Sequence, residues 1–158
     1  MKEIVIRYKE IDYSKSNQDD ALLMERALDV SSSAYAPYSK FKVGAALLLE
    51  NKKIIIGNNQ ENASFPCGIC AERVALFSAR TNYPNIRIEK IAITAFSNDF
   101  KITHPVGPCG LCRQVLLEYE ESQQYDITIL LFNKKNIIKI EKAKDLLPFH
   151  FYETRLIK

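Results

Sequence analysis

The chain has 158 residues, of which 47% are hydrophobic and 26% charged, and its formal net charge is +3. This length and composition are those of one globular domain with its own core, and they exclude disorder, collagen and a coiled coil as overall descriptions. No apolar run approaches the roughly 18 residues that span a bilayer, and charges interrupt the apolar stretch near the start, so no secretory signal is expected. We therefore expect a cytoplasmic protein, and the dispersed, weakly basic charge predicts neither a nucleic-acid nor a membrane partner.

The first half of the chain predicts a helix followed by a hairpin. Residues 2–8 alternate weakly and fit either a short strand or a loose arm. Over about 16–34, apolar residues recur at helical spacing behind acidic residues that favour the positive end of a helix. Two apolar runs, 43–50 and 54–58, flank a short polar turn and predict a β-hairpin.

The second half alternates helices with strands. The spacing predicts a helix over about 70–82, a strand over 88–96, a long loop over 97–108 and a helix over about 109–121. The remaining predicted elements are strands at 127–132 and 137–140 and a short final helix that ends at Pro148.

This order of elements predicts an α/β fold, because strands that alternate with helices form a sheet covered on both faces. We expect a three-layer α/β/α sandwich with a central mixed five-stranded sheet. The expected organisation is an N-terminal arm at 1–15 and a single domain at 16–158.

Four cysteines form two pairs, Cys67-x-x-Cys70 and Cys109-x-x-Cys112, whereas the chain has only two histidines. Two such pairs are typical of a structural zinc site with four thiolates. Disulfides are disfavoured because nothing in the sequence indicates an extracellular location. The spacing alone therefore leaves a closed, four-thiolate site open as one interpretation.

The residues around the cysteines favour a different kind of site. Cys70, Cys109 and Cys112 are predicted at the starts of two helices, where the positive end of each helix favours a thiolate. Three protein ligands leave the fourth position of zinc open for water, and a neighbouring carboxylate such as Glu72 can then transfer protons. The pattern Cys-Ala-Glu followed by Pro-Cys-x-x-Cys matches the signature of zinc-dependent nucleobase deaminases.

Several further motifs extend this match over about residues 20–151. They are APYSKFKVGAA at 36–46, NQENA at 59–63, GICAER at 68–73, PCGLCRQ at 108–114 and LLP at 146–148. In this order they resemble the small, homotetrameric, three-cysteine cytidine deaminases. The resemblance implies a cytidine deaminase-like catalytic domain that hydrolyses cytidine and deoxycytidine to uridine and deoxyuridine plus ammonia, in pyrimidine salvage.

The resemblance also implies roles for individual residues. Cys70, Cys109 and Cys112 would bind one zinc ion per subunit, and Glu72 would move protons during the reaction. The residues implied to contact the nucleoside are Phe41, Asn59, Glu61, Ala71 and Phe151, the last of which a neighbouring subunit of the homotetramer would contribute.

An electrostatic argument predicts a role for Arg73 beside the zinc ligands. Three thiolates give zinc more negative charge than is favourable for activating water, and a guanidinium beside the sulfurs draws some of that charge back. We therefore predict that Arg73, next to Glu72 in the sequence, donates to the thiolate sulfurs, and Arg113 is a second candidate for this role.

Two alternative functions stay open at this point, a structural zinc module and a deaminase of a nucleoside drug. Cys67 stands where the family usually lacks a cysteine, and as a fourth ligand it would close the site into a structural zinc module that binds protein or RNA. A related deaminase of a nucleoside drug, of the blasticidin S type, usually lacks the Asn-x-Glu pair formed here by Asn59 and Glu61. The 97–108 loop is longer than expected for the family, and we predict that its His104 is a surface residue.

Overall fold

The computed structural model describes residues 1–153 and 156, so the end of the predicted domain, at 154–155 and 157–158, lies outside the described residues. The helices are α1 (Gln18–Ser31), α2 (Ala71–Asn82) and α3 (Gly110–Gln123). The strands are β1 (Lys9–Asp12), β2 (Phe41–Leu49), β3 (Ile54–Asn58), β4 (Ile88–Ser97), β5 (Thr128–Phe132) and β6 (Asn136–Ile140).

The strands form one mixed sheet in the order β1-β6-β5-β4-β2-β3. The β4–β5 pair is parallel, and the other neighbours are antiparallel. The predicted α/β fold with a mixed sheet is thus confirmed, but the predicted number of five strands is wrong, because the described part of the chain forms six.

The additional strand, β1, lies within the segment predicted to be an arm. Its four residues, KEID, pair with β6 alone at the edge of the sheet and are mostly exposed. An edge strand of this kind has no apolar alternation to reveal it, because charged residues are favoured where one side has no partner. The division into an arm at 1–15 and a domain at 16–158 stays a prediction.

Helices cover both faces of the sheet, as the alternation of side chains in a strand requires. Ala45 and Leu47 of β2 belong to an apolar cluster with α2 and α3 residues, among them Leu76 and Leu116. The intervening Ala46 belongs to a second cluster with residues of α1. The result is the three-layer arrangement, with α1 on one face and α2 and α3 on the other.

The ends of two predicted helices differ from the structure. The amide oxygen of Asn17 accepts a hydrogen bond from the backbone N–H of Asp20 at 2.8 Å and caps α1, which ends at Ser31. The predicted final helix is a single 3-10 turn over Ala143–Leu146. Among the described residues, no helix combines the length and the apolar character needed to cross a membrane.

A glycine in β3 brings α2 close to the sheet. A Cβ atom on Gly57 would lie 2.5 Å from the backbone nitrogen of Ala75 and 2.6 Å from the carbonyl oxygen of Ala71. The helix can therefore pack directly on the strand only because position 57 has no side chain. This contact fixes the first turn of α2, which begins immediately after Cys70.

A buried carboxylate fixes the region behind α3. Glu120 is only 4% exposed and accepts hydrogen bonds from the backbone N–H groups of Ile127 at 2.7 Å, Ala143 at 2.6 Å and Lys144 at 3.0 Å. It thereby connects α3 to the start of β5 and to the final 3-10 turn. The sequence motifs gave no sign of this role.

Candidate active site

Three of the four cysteines meet where α2 and α3 begin. Cys70 is the N-cap residue of α2 and Cys109 is the N-cap residue of α3, and neither side chain caps its own helix. Cys112 lies in the first turn of α3 and is buried. The two helix ends thus direct their positive poles toward one cluster of sulfurs, as the sequence predicted.

The spacing of these sulfurs fits zinc. The Sγ atoms are 3.8 Å apart for Cys70 and Cys109 and 3.5 Å apart for Cys109 and Cys112, and all three lie within 4.8 Å of one another. A tetrahedral site with Zn–S bonds of about 2.3 Å places its sulfurs about 3.8 Å apart. The three cysteines therefore fit three ligand positions of one zinc ion, and they leave a fourth position for a non-protein ligand.

The thiols of Cys70 and Cys112 interact, and this interaction shifts their pKa values in opposite directions. The Cys112 thiol, with smaller contributions from Arg73 and Cys109, lowers the pKa of Cys70 to about 5. The same interaction with Cys70, together with burial, raises the pKa of Cys112. The lowered pKa favours the thiolate form of Cys70, which is the form that binds a metal.

Glu72 is buried beside the cluster. Glu72 is the second residue of α2 and is only 4% exposed. It lines the same cavity as Cys70 and Cys109. Burial is the main cause that raises the pKa of its carboxyl group above the usual value. A buried carboxyl group beside the open position is well placed to take up and release protons.

Arg73 is the cation associated with the sulfurs. Burial opposes its charge, but its interactions with the sulfurs of Cys70 and Cys112 outweigh that effect and raise the pKa of Arg73. Its Nε atom is buried and has no hydrogen-bond partner among the residues that the structure describes. By contrast, Arg113 donates from Nε to the carbonyl oxygen of Pro108 at 2.9 Å and from Nη1 to that of Leu146 at 3.1 Å, so it supports the backbone.

A cavity of about 580 Å³ opens next to the cysteines. Of the residues predicted to form the site, those that line it are Phe41, Asn59, Glu61, Cys70, Glu72 and Cys109. Residues of the long loop, Val106 and Gly107, form another part of its wall. Ala71 and Phe151 are not among the described lining residues, and Ala71 is fully buried at the start of α2.

Glu61 and Asn59, which the resemblance implies to contact the nucleoside, are held by different backbone groups. Glu61 accepts hydrogen bonds from the backbone N–H groups of Tyr38 at 2.9 Å and Ser39 at 3.3 Å. The amide of Asn59 accepts from the Val43 N–H at 2.7 Å and donates to the Phe41 carbonyl oxygen at 2.9 Å. Asn59 therefore fixes the start of β2 at the cavity, a second role that the motif did not reveal.

Two phenylalanines predicted to contact the substrate differ in position. The ring of Phe41 lines the cavity and is stacked on that of Phe100 from the 97–108 loop, with centroids 6.1 Å apart and planes inclined by 8°. Phe151 is 70% exposed, and its backbone N–H and C=O pair with the side-chain amide of Gln114. The contact with Phe100 was not predicted, because loop sequence carries no periodic signal of what it packs against.

Cys67 lies outside the cluster. It is exposed in a 3-10 turn over Phe65–Cys67, and the metal-ligating group found among the described residues consists of the other three cysteines. The four-thiolate interpretation is therefore not favoured. His104 is exposed in the long loop, in agreement with the prediction of a surface residue.

Residues 17–125 match the family model described as the cytidine and deoxycytidylate deaminase zinc-binding region. The chain belongs to this family. A cytidine deaminase from Halalkalibacterium halodurans is 39% identical over 133 residues, which are 84% of this chain and 94% of that protein. One from Sporosarcina psychrophila is 38% identical over 85% of this chain and 92% of its own length.

Solved structures agree in fold. The crystal structure of a cytidine deaminase from Burkholderia pseudomallei superposes with a TM-score of 0.70 and 39% identity, covering 83% of this chain and 98% of that chain. A cytidine deaminase from Mycobacterium tuberculosis gives a TM-score of 0.67 and 30% identity over 87% of this chain and 100% of that chain. The three-cysteine cluster is consistent with one zinc ion per subunit of this zinc-binding family.

Proposed function

We propose that this protein is a zinc-dependent cytidine deaminase that converts cytidine and deoxycytidine to uridine and deoxyuridine with release of ammonia. The observation that supports the proposal most strongly is the cluster of Cys70, Cys109 and Cys112 beside the buried Glu72 in one open cavity. The cytidine deaminases that match most of the chain support the choice of substrate.

The chemistry divides between the metal and one carboxylate. Cys70, Cys109 and Cys112 would hold the zinc ion, which would supply Lewis-acid activation of a water molecule when bound. Glu72 would take one proton from the attacking water and deliver it to N3 of the pyrimidine, and would then take the second proton from the hydroxyl group formed at C4 and deliver it to the departing amine. Water thus adds at C4, ammonia leaves, and the 4-amino group is replaced by a carbonyl.

The cavity supplies groups that suit a nucleoside. Phe41 offers an apolar ring to the pyrimidine, and Ala71 would contribute backbone groups to its polar edge. Glu61 and Asn59 would bind the sugar, since a carboxylate accepts and an amide both accepts and donates hydrogen bonds. Arg73 would moderate the negative charge of the thiolates.

We further propose a homotetramer in which neighbouring subunits complete each site. Phe151 is 70% exposed, and it is close in sequence to Phe149, which is 89% exposed, so the described C-terminal region presents large apolar groups that a second copy could cover. In this arrangement Phe151 of one subunit would reach the cavity of the next. The proposed setting is pyrimidine salvage in the cytoplasm, carried out by a catalytic domain at 16–158.

Absorbance-monitored turnover of cytidine and deoxycytidine tests the function. The zinc-loaded chain should convert both nucleosides, and Glu72→Ala should lower kcat by at least about 100-fold because the proton carrier is lost. Glu25→Ala, which removes an exposed glutamate from α1, serves as the matched control and should leave kcat unchanged. Absence of turnover by the zinc-loaded wild-type chain on both substrates would overturn the proposal.

A further inference from the structure

A tight turn before β2 is organised by the hydroxyl group of Ser39. Lys40 has a φ of 55°, in the left-handed region that non-glycine residues seldom adopt. The backbone N–H of Phe41 donates to Ser39 Oγ at 3.0 Å, so a side-chain hydrogen bond spans the unusual residue. Such bonds, between a hydroxyl group and the backbone two residues later, stabilise turns.

The same hydroxyl group donates to the carboxylate of Glu61. Ser39 Oγ contacts Glu61 Oε1, while Glu61 Oε2 accepts from the backbone N–H groups of Tyr38 and Ser39. The backbone N–H of Glu61 also donates to the Tyr35 carbonyl oxygen at 2.8 Å. The carboxylate is therefore anchored to the turn at three points, and only one of these anchors is a side chain.

The anchoring leaves one definite acceptor position. A carboxylate has about four lone-pair sites, two on each oxygen. Among the described residues, two N–H groups donate to Oε2 and the Ser39 hydroxyl group donates to Oε1, which leaves Oε1 one site for a ligand hydroxyl group. The hydrogen bond from Ser39 is also the main cause that lowers the pKa of Glu61, which keeps this acceptor ionised.

We propose that Ser39 is a positioning residue that orients the Glu61 carboxylate toward a sugar hydroxyl group of the nucleoside. This inference rests on the proposed function. Ser39, Glu61 and Phe41 line the same cavity. The Ser39 hydroxyl group donates a hydrogen bond to Glu61 and accepts one from the backbone N–H of Phe41. Ser39 thus links the group proposed for the sugar to the ring proposed for the pyrimidine.

Steady-state kinetics with cytidine distinguish positioning from general structural support. In the zinc-loaded full chain, Ser39→Ala should raise KM roughly five- to tenfold and change kcat by less than about twofold, because the lost hydrogen bond serves binding. Ser39→Thr keeps the hydroxyl group and should restore KM to within about twofold of wild type. Ser32→Ala is the matched control, because the hydroxyl group of this exposed serine donates to the Asp29 carbonyl oxygen at 2.7 Å and Ser32 is not among the described residues that line the cavity.

A double-mutant cycle then tests whether Ser39 acts through Glu61. If it does, adding Ser39→Ala to Glu61→Ala should raise KM by less than about twofold beyond the single Glu61 variant. The inference would be overturned if the KM increases of the two single variants multiplied in the double variant, or if KM were unchanged in Ser39→Ala. Either result would leave the proposed function intact. Wild-type turnover is measured first, because its absence overturns the proposed function and this inference with it.

Discussion

At the scale of single residues, charge decides how the metal site can work. Three thiolates around one divalent ion give a net negative centre, and interactions with the sulfurs of Cys70 and Cys112 raise the pKa of the Arg73 guanidinium. Arg113 is close in sequence to the other ligands, but its guanidinium is engaged with backbone carbonyl groups. Arg73 is therefore the residue expected to reduce the electron density on the sulfurs.

Replacement of Arg73 should separate catalysis from metal binding. We expect Arg73→Ala to lower kcat for cytidine about tenfold or more while zinc content stays near one ion per chain, because neighbours of metal ligands commonly have effects of this size. Metal analysis and turnover are measured on the same sample. Arg26→Ala, at an exposed position on α1, is the control, and an unchanged kcat in the Arg73 variant would contradict the argument.

Cys67 provides the complementary test of the ligand set. Since its thiol is exposed and lies outside the cluster, Cys67→Ser should keep both zinc and cytidine turnover near wild-type values. Cys70→Ser, which removes a member of the cluster, should lose zinc. Loss of zinc in the Cys67 variant would instead indicate a closed site with four thiolates.

Sequence patterns could identify the chemistry of the site but not its supporting contacts. The cysteine spacing and helix starts predicted the cluster, because ligand identity and helix position are local properties. The bonds between Asn59 and β2 and the stacking of Phe100 on Phe41 join segments far apart in the chain, so no local pattern reveals them. The same is true of the link between Ser39 and Glu61.

At the scale of elements, the sheet and α2 meet with almost no space between them. A methyl group at position 57 would press on backbone atoms of α2, which cannot rotate aside as a side chain can. The position of Cys70 and Glu72 therefore depends on a glycine in the neighbouring strand.

Gly57→Ala should lower the free energy of unfolding by about 1–3 kcal/mol, because β3 and α2 must separate. Urea denaturation measures this change, and zinc affinity should fall with it. Gly110→Ala is a matched control, since a Cβ atom there meets nothing within 4 Å, and it should leave stability unchanged or raise it by up to about 1 kcal/mol. Equal stability of the Gly57 variant and wild type would show that α2 can move away without cost.

Element prediction succeeded where periodicity was strong. The buried strands β2, β4 and β5 and all three helices lie close to their predicted positions, since apolar alternation or helical spacing marks them. The edge strand β1 escaped detection because pairing with β6 alone, not burial, defines it. The sequence of this charged segment contains no pattern that predicts its pairing with a distant strand.

At the scale of the whole molecule, the apolar core extends over both faces of the sheet, beyond the cysteine cluster. Two apolar clusters, one on each face of the sheet, contain residues from all three layers. The metal ligands lie at the edge of this structure, and two of the three, Cys70 and Cys109, are not fully buried. The fold therefore has a source of stability that small zinc-dependent modules lack.

Removal of zinc should accordingly abolish activity without unfolding the protein. A strong chelator is expected to eliminate cytidine turnover while far-UV circular dichroism at 25 °C keeps its α/β spectrum, and added zinc should restore turnover. Unfolding on chelation would show instead that the metal holds α2 and α3 together.

The most direct test of the deaminase account is the quantity of uridine and ammonia formed from cytidine by the zinc-loaded chain. We expect the wild-type protein to form one uridine and one ammonia for each cytidine that it consumes. We also expect a rate at least about 100-fold lower for Glu72→Gln at the same zinc content, because an amide cannot carry the proton. A wild-type chain that binds zinc but forms no uridine, or a Glu72→Gln variant as fast as wild type, would contradict the deaminase account.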